Sequence, residues 1–278
     1  LERSQMKGLF PLGPPDKDRL SRLGRRGKEL FYTTQRVDTV ADFWFSCGTC
    51  HPDGRTDGVT WEFTNGPRST PVLAASLDSL PLHFDGDRDE FADFEHTVRD
   101  LQGGFSLDRK KLKPALGKTS SDPLAYGWKA MEAYLREGID APRAQKLTAP
   151  QEERGRKVFA SLGCDSCHGG EWFAPDSIDS SRKVAGGQVL DTLANVNTKT
   201  DRDRLGEGAF DPPSLWGLVQ TAPYLHDGSA HTLEDVLNNR DHLVAGLEPK
   251  EKSRTVTPAE TQDLLLYLKS ITDGTQPL

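Results

Sequence analysis

Four cysteines stand in two identical arrangements, Cys47-Gly48-Thr49-Cys50-His51 and Cys164-Asp165-Ser166-Cys167-His168. Two thiols one helical turn apart can add to the two vinyl groups of one porphyrin, and the adjacent histidine then becomes an axial ligand of its iron. A zinc site, a dithiol redox pair or disulfides would also use such cysteines. Only covalent haem attachment requires histidine at both fifth positions, a coincidence of roughly one in 1,500 with 7 histidines among 278 residues. The sequence therefore predicts two covalently bound c-type haems.

Length, charge and hydropathy argue against a nucleic-acid partner and against a membrane span. The length of 278 residues predicts about two domains, and the net charge of −7 argues against nucleic acid as a partner. The longest apolar runs are short, such as Leu264–Leu268, and none approaches the roughly 18 residues that cross a bilayer. Covalent haem attachment takes place outside the cytoplasm, so we expect a periplasmic or otherwise exported protein with no membrane span.

The chain reads as a duplicated helical unit. Arg26–Phe31 precedes the first motif, and the similar Arg154–Phe159 precedes the second. A closing helix is expected from about Asp122-Pro123 to Gly138, and another from Thr257-Pro258 onward through Ile271. The fold class predicted is mainly α, with two tandem cytochrome c-like helical domains over residues 1–140 and 141–278, each with one covalent haem. The boundary falls near 141–142, and Thr148 with Gln151 caps the helix that opens the second unit.

Segments beyond the two motifs carry a family resemblance. Thr221–Ser229, which reads TAPYLHDGS, follows the second motif together with Pro213–Leu215 and Thr232–Val236, and Phe84-Asp85-Gly86 lies between the motifs. With the paired haem motifs, these segments resemble the bacterial di-haem cytochrome c peroxidase family, which includes MauG, over nearly the whole chain.

The resemblance implies an enzyme and a division of labour between its haems. Hydrogen peroxide would form high-valent iron at the N-terminal haem of His51, and the C-terminal haem of His168 would relay electrons. The electrons would come from a small redox carrier protein, as in the peroxidases, or from a partner protein that is oxidised, as with MauG. The family further implies calcium at the domain interface and a homodimer. Alternatives that stay open are a non-enzymatic di-haem electron-transfer cytochrome and a gas sensor.

The second haem site departs from the family pattern. The family places a Met, or in MauG a Tyr, about fourteen residues beyond the histidine of the HDG element, and here that position is Arg240. His242 is the nearest replacement as second axial ligand, whereas His231, an open site, or an ordinary surface role for His242 remain alternatives. Imidazole in place of a thioether would lower the haem potential.

The first haem site also departs from the family pattern, in two ways. No histidine occurs between Pro52 and Leu82, where family members that need reductive activation carry a displaceable one. We therefore expect the iron at His51 to have an open position, with His83 as the exception to consider. Phe84 stands where the family commonly has a tryptophan between the haems, which leaves the electron route open.

Peroxide cleavage needs a group that takes a proton from one oxygen and returns it to the other. A helix over Glu90–Gln102 supplies candidates, because about 100° per residue puts Glu95 and Gln102 beside the apolar face and turns His96 away. An ion pair with Arg88 or Arg99 is the structural alternative for Glu95. By resemblance, His226 lies between the haems and hydrogen-bonds a propionate, in a turn where Gly228 supplies a positive φ.

Overall fold

The structure is a computed structural model that describes residues 19–37, 39–41, 43–63, 66–84, 88, 90–104, 127–140, 144–170, 173, 210–247, 250–272 and 275. The described α-helices are α1 Arg22–Tyr32, α2 Cys47–Cys50, α3 Phe94–His96, α4 Gly127–Gly138, α5 Ala149–Ser161, α6 Asp165–His168, α7 Leu233–Asn238, α8 Arg240–Leu243 and α9 Pro258–Leu268. The strands are β1 Thr60–Phe63 and β2 Gly66–Ser69. The mainly helical prediction agrees with these elements.

The first unit is built on the crossing of α1 and α4. Ser21 caps α1 by accepting a hydrogen bond from the backbone N–H of Gly24. Gly27 lies directly against the carbonyl of Ala130, so a side chain there would collide with the α4 backbone. Because the helices approach this closely, Leu30 and Met131 become almost fully buried around the crossing.

The second unit repeats this crossing with α5 and α9. Gly155 faces the carbonyl of Asp263 and the side chain of Tyr267, as Gly27 faces Ala130 and Tyr134 in the first unit. The predicted capping box of Thr148 with Gln151 opens α5. This repetition makes the two helix pairs equivalent, residue by residue.

The two units also share a second segment. Pro71 and Pro81 in the first unit are ten residues apart, as are Pro213 and Pro223 in the second. After the later proline of each pair comes an isolated antiparallel bridge that spans six residues. The bridges join Leu82 to Arg88 in the first unit and Tyr224 to Ala230 in the second.

The shared segments meet each other where the units touch. The backbone N–H of Ser69 donates to the carbonyl of His226 at 2.6 Å, and the backbone N–H of Asp211 donates to the carbonyl of Phe84 at 2.8 Å. Counting from the matched prolines, Ser69 corresponds to Asp211 and Phe84 to His226. The contact is therefore reciprocal: each unit donates from one equivalent position and accepts at the other.

Several predicted elements differ in detail. The expected helix over Glu90–Gln102 is a 3-10 turn Phe91–Asp93, then α3, then a π-helical turn Thr97–Leu101. The tighter 3-10 turn and the wider π turn both change the angle per residue, so the uniform 100° step does not hold along this segment. The hairpin of β1 and β2 was not predicted.

The closing helices agree with the sequence at the ends that the structure describes. The first ends at Gly138 as expected, and its predicted start at Asp122-Pro123 lies outside the described residues. The second begins at Pro258 as expected but ends at Leu268, so Ile271 lies beyond it. The predicted boundary at 141–142 also lies outside the described residues. Within the described ranges, no helix is long and apolar enough to span a membrane.

Candidate haem sites

The first motif puts a neutral, oriented imidazole beside two thiols. Cys47 and Cys50 begin and end α2, and His51 follows directly. The ring Nδ1 of His51 lies 3.0 Å from the carbonyl oxygen of Pro71. Since a carbonyl only accepts, Nδ1 carries the hydrogen and Nε2 keeps a free electron pair. Burial lowers the pKa of His51 to about 4, so the ring is neutral at pH 7, as a metal ligand requires.

The second motif repeats this chemistry on α6. Burial lowers the pKa of His168 to about 4, and the nearby His242 acts in the same direction. The backbone carbonyls of Phe173 and Pro213 oppose this shift. Pro213 is the counterpart of Pro71 and its carbonyl lies near His168, but only the Pro71 carbonyl lies within hydrogen-bonding distance of the Nδ1 of its motif histidine.

His242 faces His168 across a defined gap. Their ring centres lie 6.4 Å apart, with the ring planes inclined by 69°. Asn239 orients α8 by accepting a hydrogen bond from the backbone N–H of His242 at 3.1 Å. Burial lowers the pKa of His242, which keeps this imidazole neutral as well. Arg240, in the position where the family has its ligand, instead binds the backbone carbonyls of Arg254 and Lys252.

This gap fits one metal ion with two imidazole ligands. A metal–nitrogen bond of about 2 Å on each side, added to the half-width of each five-membered ring, places the ring centres about 6.3 Å apart. The separation of 6.4 Å for His168 and His242 agrees with that value. The donor set of two neutral imidazoles and two adjacent thiols therefore fits a c-type haem.

The cysteines fit haem attachment better than the competing uses. All four are free, so they form no disulfides. Burial raises the pKa of Cys47 to about 11 and that of Cys164 to about 12, which keeps both as thiols. The described residues contain no cluster of three or more His, Cys, Asp or Glu side chains that could hold a metal ion. Neither a zinc site nor a low-pKa redox pair is supported.

Glu95 is buried in the first unit and bound by an indole. Only 5% of Glu95 is exposed, and its Oε2 accepts a hydrogen bond from Nε1 of Trp128 at 3.0 Å. The prediction that Glu95 turns inward is confirmed by this burial. His96 points outward, with 57% of its side chain exposed. Sequence reasoning missed Trp128, which lies 33 residues further along the chain and has no local pattern that links it to Glu95.

Gln102 is half-buried just beyond the π turn. Its backbone carbonyl accepts a hydrogen bond from the N–H of Ala41 at 3.1 Å, which ties the turn to the connection before the first motif. His83 lies near enough to lower the pKa of His51, and its ring packs edge-on against Phe94 with centres 4.7 Å apart.

His226 lies where the two units meet. Only 2% of this residue is exposed, and its ring stacks on Phe210 with centres 3.6 Å apart. Phe84 approaches from the first unit, with its ring centre 6.4 Å from that of His226. The guanidinium of Arg68 lies over the Phe210 ring at 5.1 Å. The turn has the predicted positive φ at Gly228, and Leu225 shares it.

Comparison with known proteins connects these sites to an enzyme group. The chain is 24% identical to cytochrome c551 peroxidase of Pseudomonas aeruginosa over 286 residues, which cover 90% of this chain and 78% of the relative. It is 26% identical to the methylamine utilization protein MauG of Methylorubrum extorquens over 283 residues, or 88% and 76% of the two chains. No family model matches the chain.

A solved structure agrees in fold. A crystal structure of a MauG-like protein associated with microbial copper homeostasis superposes with a TM-score of 0.61 at 21% identity, covering 98% of this chain and 95% of that one. The resemblance to the cytochrome c peroxidases and MauG is confirmed, and with it the expectation of an enzyme of the oxidoreductase class.

Proposed function

We propose that this chain, a relative of the di-haem cytochrome c peroxidases and MauG, is an oxidoreductase that holds two c-type haems and uses hydrogen peroxide. The haem of His51 would react with peroxide, and the haem of His168 and His242 would store and pass electrons. The observation that carries this proposal is the second imidazole beside His168: the ring centres of His168 and His242 lie 6.4 Å apart, whereas the ring of His83, the histidine near His51, packs edge-on against Phe94.

The difference matters because axial ligands decide what an iron can do. A haem would supply a redox-active iron, and a haem held by two protein imidazoles would suit electron transfer. A haem held by one protein imidazole could also bind peroxide. His242 would hold the second iron opposite His168, and we expect a lower potential there than with a methionine ligand.

In the first unit, residues of this chain attach the porphyrin, orient its ligand and handle protons. Cys47 and Cys50 form the thioether bonds, and the Pro71 carbonyl fixes the tautomer of His51. We assign Glu95 to take the proton from one peroxide oxygen and return it to the other, since it is the buried carboxylate of the predicted helix. We assign Gln102, which follows the same π turn, to assist Glu95 in this proton transfer.

The remaining assignments extend the same proposal. His226, stacked on Phe210 between the units, would hydrogen-bond a haem propionate. Residues 1–140 would form the peroxide-reactive domain and 141–278 the electron-transfer domain. A small redox carrier protein or an oxidised partner protein would exchange electrons with the enzyme in the periplasm or another exported location. Calcium between the domains and a homodimer follow from the family resemblance alone.

A second candidate is a non-enzymatic electron carrier. One observation favours it: His83 lies close enough to lower the pKa of His51. If His83 bound the first iron opposite His51, both irons would be closed and peroxide would find no position.

Rapid mixing of the ferric di-haem protein with one equivalent of hydrogen peroxide distinguishes the two functions. We expect a fast change of the haem absorption spectrum, and in steady state two electrons taken from a reduced small c-type cytochrome for each peroxide. An unchanged spectrum together with no oxidation of the donor would establish the carrier function instead.

A further inference from the structure

The duplicated fold provides an internal comparison for the buried carboxylate Glu95. Nine residues after Pro81, Glu90 caps the turn that leads into α3, and nine residues after Pro223, Thr232 caps α7. Both caps are completed by an aspartate three residues on. The two elements are therefore equivalent, and Glu95 occupies the position that Leu237 has in the second unit.

The second unit shows that this position does not need a carboxylate to fold. Leu237 packs against the buried core of its unit, as an apolar residue does at an inward position. Burying a carboxylate there is costly without a partner. The glycine contacts match α4 to α9, so the residue equivalent to Trp128 is Thr261. Both members of the Glu95–Trp128 pair are thus particular to the first unit.

The pair lies beside the first attachment site. Trp128, Phe91 and Cys47 all pack against the same buried cluster, which is formed by Leu30, Ala130 and Met131. The rings of Phe91 and Trp128 meet edge to face, with centres 5.6 Å apart. A porphyrin attached through Cys47 would therefore share its apolar surroundings with the Trp128 indole.

We propose that Trp128 is a redox-active side chain that gives one electron to the haem of His51 after peroxide has oxidised it. This inference rests on the proposed function. Oxidation makes the indole N–H strongly acidic, and its proton passes from Nε1 to Oε2 of Glu95 across their 3.0 Å hydrogen bond. The products are a neutral indolyl radical and a protonated Glu95.

The electrons and protons balance within the peroxide reaction. Reduction of hydrogen peroxide to two waters takes two electrons and two protons: Trp128 would supply one electron, the haem of His168 the other, and solvent the two protons. An electron from the donor or partner protein later reduces the radical, and Glu95 returns the proton to Nε1. Trp128 would in this way hold an oxidising equivalent inside the protein until the partner binds.

Trp61 is a matched control in the same unit. Its Nε1 donates to Oδ2 of Asp57 at 2.9 Å, which is the same indole–carboxylate bond. It differs in exposure, because 36% of Trp61 is exposed and this pair lies in solvent. An exposed pair neither confines the proton to its carboxylate nor protects a radical from solvent.

The test is rapid-freeze EPR of the di-haem protein after one equivalent of peroxide, with optical spectra from the same mixing. We expect an organic radical signal that is narrowed by ring-deuterated tryptophan, lost in Trp128→Phe and retained in Trp61→Phe. In Glu95→Gln and Glu95→Leu, the latter copying the second unit, we expect the neutral radical to be absent even in samples frozen after the slower haem change is complete.

The optical spectra distinguish failure of the Trp128 radical from failure of the proposed peroxide reaction. A haem change in the wild type without a tryptophan radical would overturn the role of Trp128 and leave the proposed function standing. A radical that survives Trp128→Phe or disappears in Trp61→Phe would overturn it as well. If the haem absorption spectrum did not change at all, both the proposed function and the role of Trp128 would be overturned. Where Trp128→Phe fails to fold, ring deuteration of the wild type still shows whether the radical lies on one of the five tryptophans, and Trp128→Tyr serves as the second variant that assigns it.

Discussion

The two units of the chain share a framework and differ in the side chains around it. In each, a glycine brings two helices together, a CxxCH helix follows, and a proline carbonyl lies beside the motif histidine. The second unit then adds an imidazole opposite His168, whereas the first adds the Glu95–Trp128 pair. Under the proposed function, the shared framework would attach a haem in each unit, and a few substituted positions would decide what its iron does.

The contact between the two units also combines an equivalent backbone with different side chains. Ser69 and Asp211 donate equivalent backbone hydrogen bonds to His226 and Phe84, so the interface is symmetric in its main chain. Its side chains break the symmetry, because the matched positions carry a histidine stacked on Phe210 and a phenylalanine.

The largest expected effect comes from removing one haem at a time. Replacing Cys47 and Cys50 by alanine should leave one haem per chain and abolish the optical reaction with peroxide, since the reactive haem is lost. Replacing Cys164 and Cys167 should also leave one haem and should retain that first reaction. Mass spectrometry counts the haems, and circular dichroism checks that the helices persist. The opposite pattern of peroxide reactivity would reverse the assignment of the two units.

The next largest effect is expected from removing the carboxylate of Glu95, which its counterpart Leu237 lacks. Glu95→Gln keeps the shape of the side chain but loses its base, so the reaction with peroxide should slow by roughly 100-fold or more. Asp100→Asn, on the same stretch and 77% exposed, is the control and should react at the native rate. Stopped-flow absorption measures both. A native rate for Glu95→Gln would remove the carboxylate from the mechanism.

The smallest effect tests the framework that the units share. Gly27→Ala and Gly155→Ala place a methyl group against the facing helix, so each should lower the free energy of unfolding by about 1–3 kcal/mol. Lys28→Ala changes an exposed residue on α1 and should leave stability nearly unchanged. Thermal unfolding of the di-haem protein, followed by circular dichroism, reports the three variants. Equal melting temperatures would contradict the close helix crossings.

Local signals in the sequence predicted much of this framework. The structure has the predicted capping box at Thr148, the cap and proline at Thr257-Pro258 and the helix end at Gly138. Each of these signals is contained in a few neighbouring residues of the sequence. The inward turn of Glu95 was also predicted, because it depends on helical phase over only four residues from Phe91.

Features that depend on distant residues could not be predicted in the same way. The bond between Glu95 and Trp128 spans 33 residues and leaves no periodic trace. The π turn at Thr97–Leu101 breaks the assumed phase. Gly66 and Pro67 argue against a strand by composition, yet β2 accommodates Pro67 because a two-stranded ribbon has an unpaired edge. The sequence predicted His242 as a candidate ligand, but its distance from His168 depends on the fold and could not be predicted.

Low-temperature EPR of the ferric di-haem protein and of His242→Ala tests most directly whether the two irons differ in their ligands. We predict one high-spin and one low-spin signal in the wild type, from the irons of His51 and His168 respectively. In His242→Ala the low-spin signal should be lost while the high-spin signal of the first unit remains. Two low-spin signals in the wild type, or a low-spin signal unchanged in His242→Ala, would contradict the division between a reactive haem and a closed one.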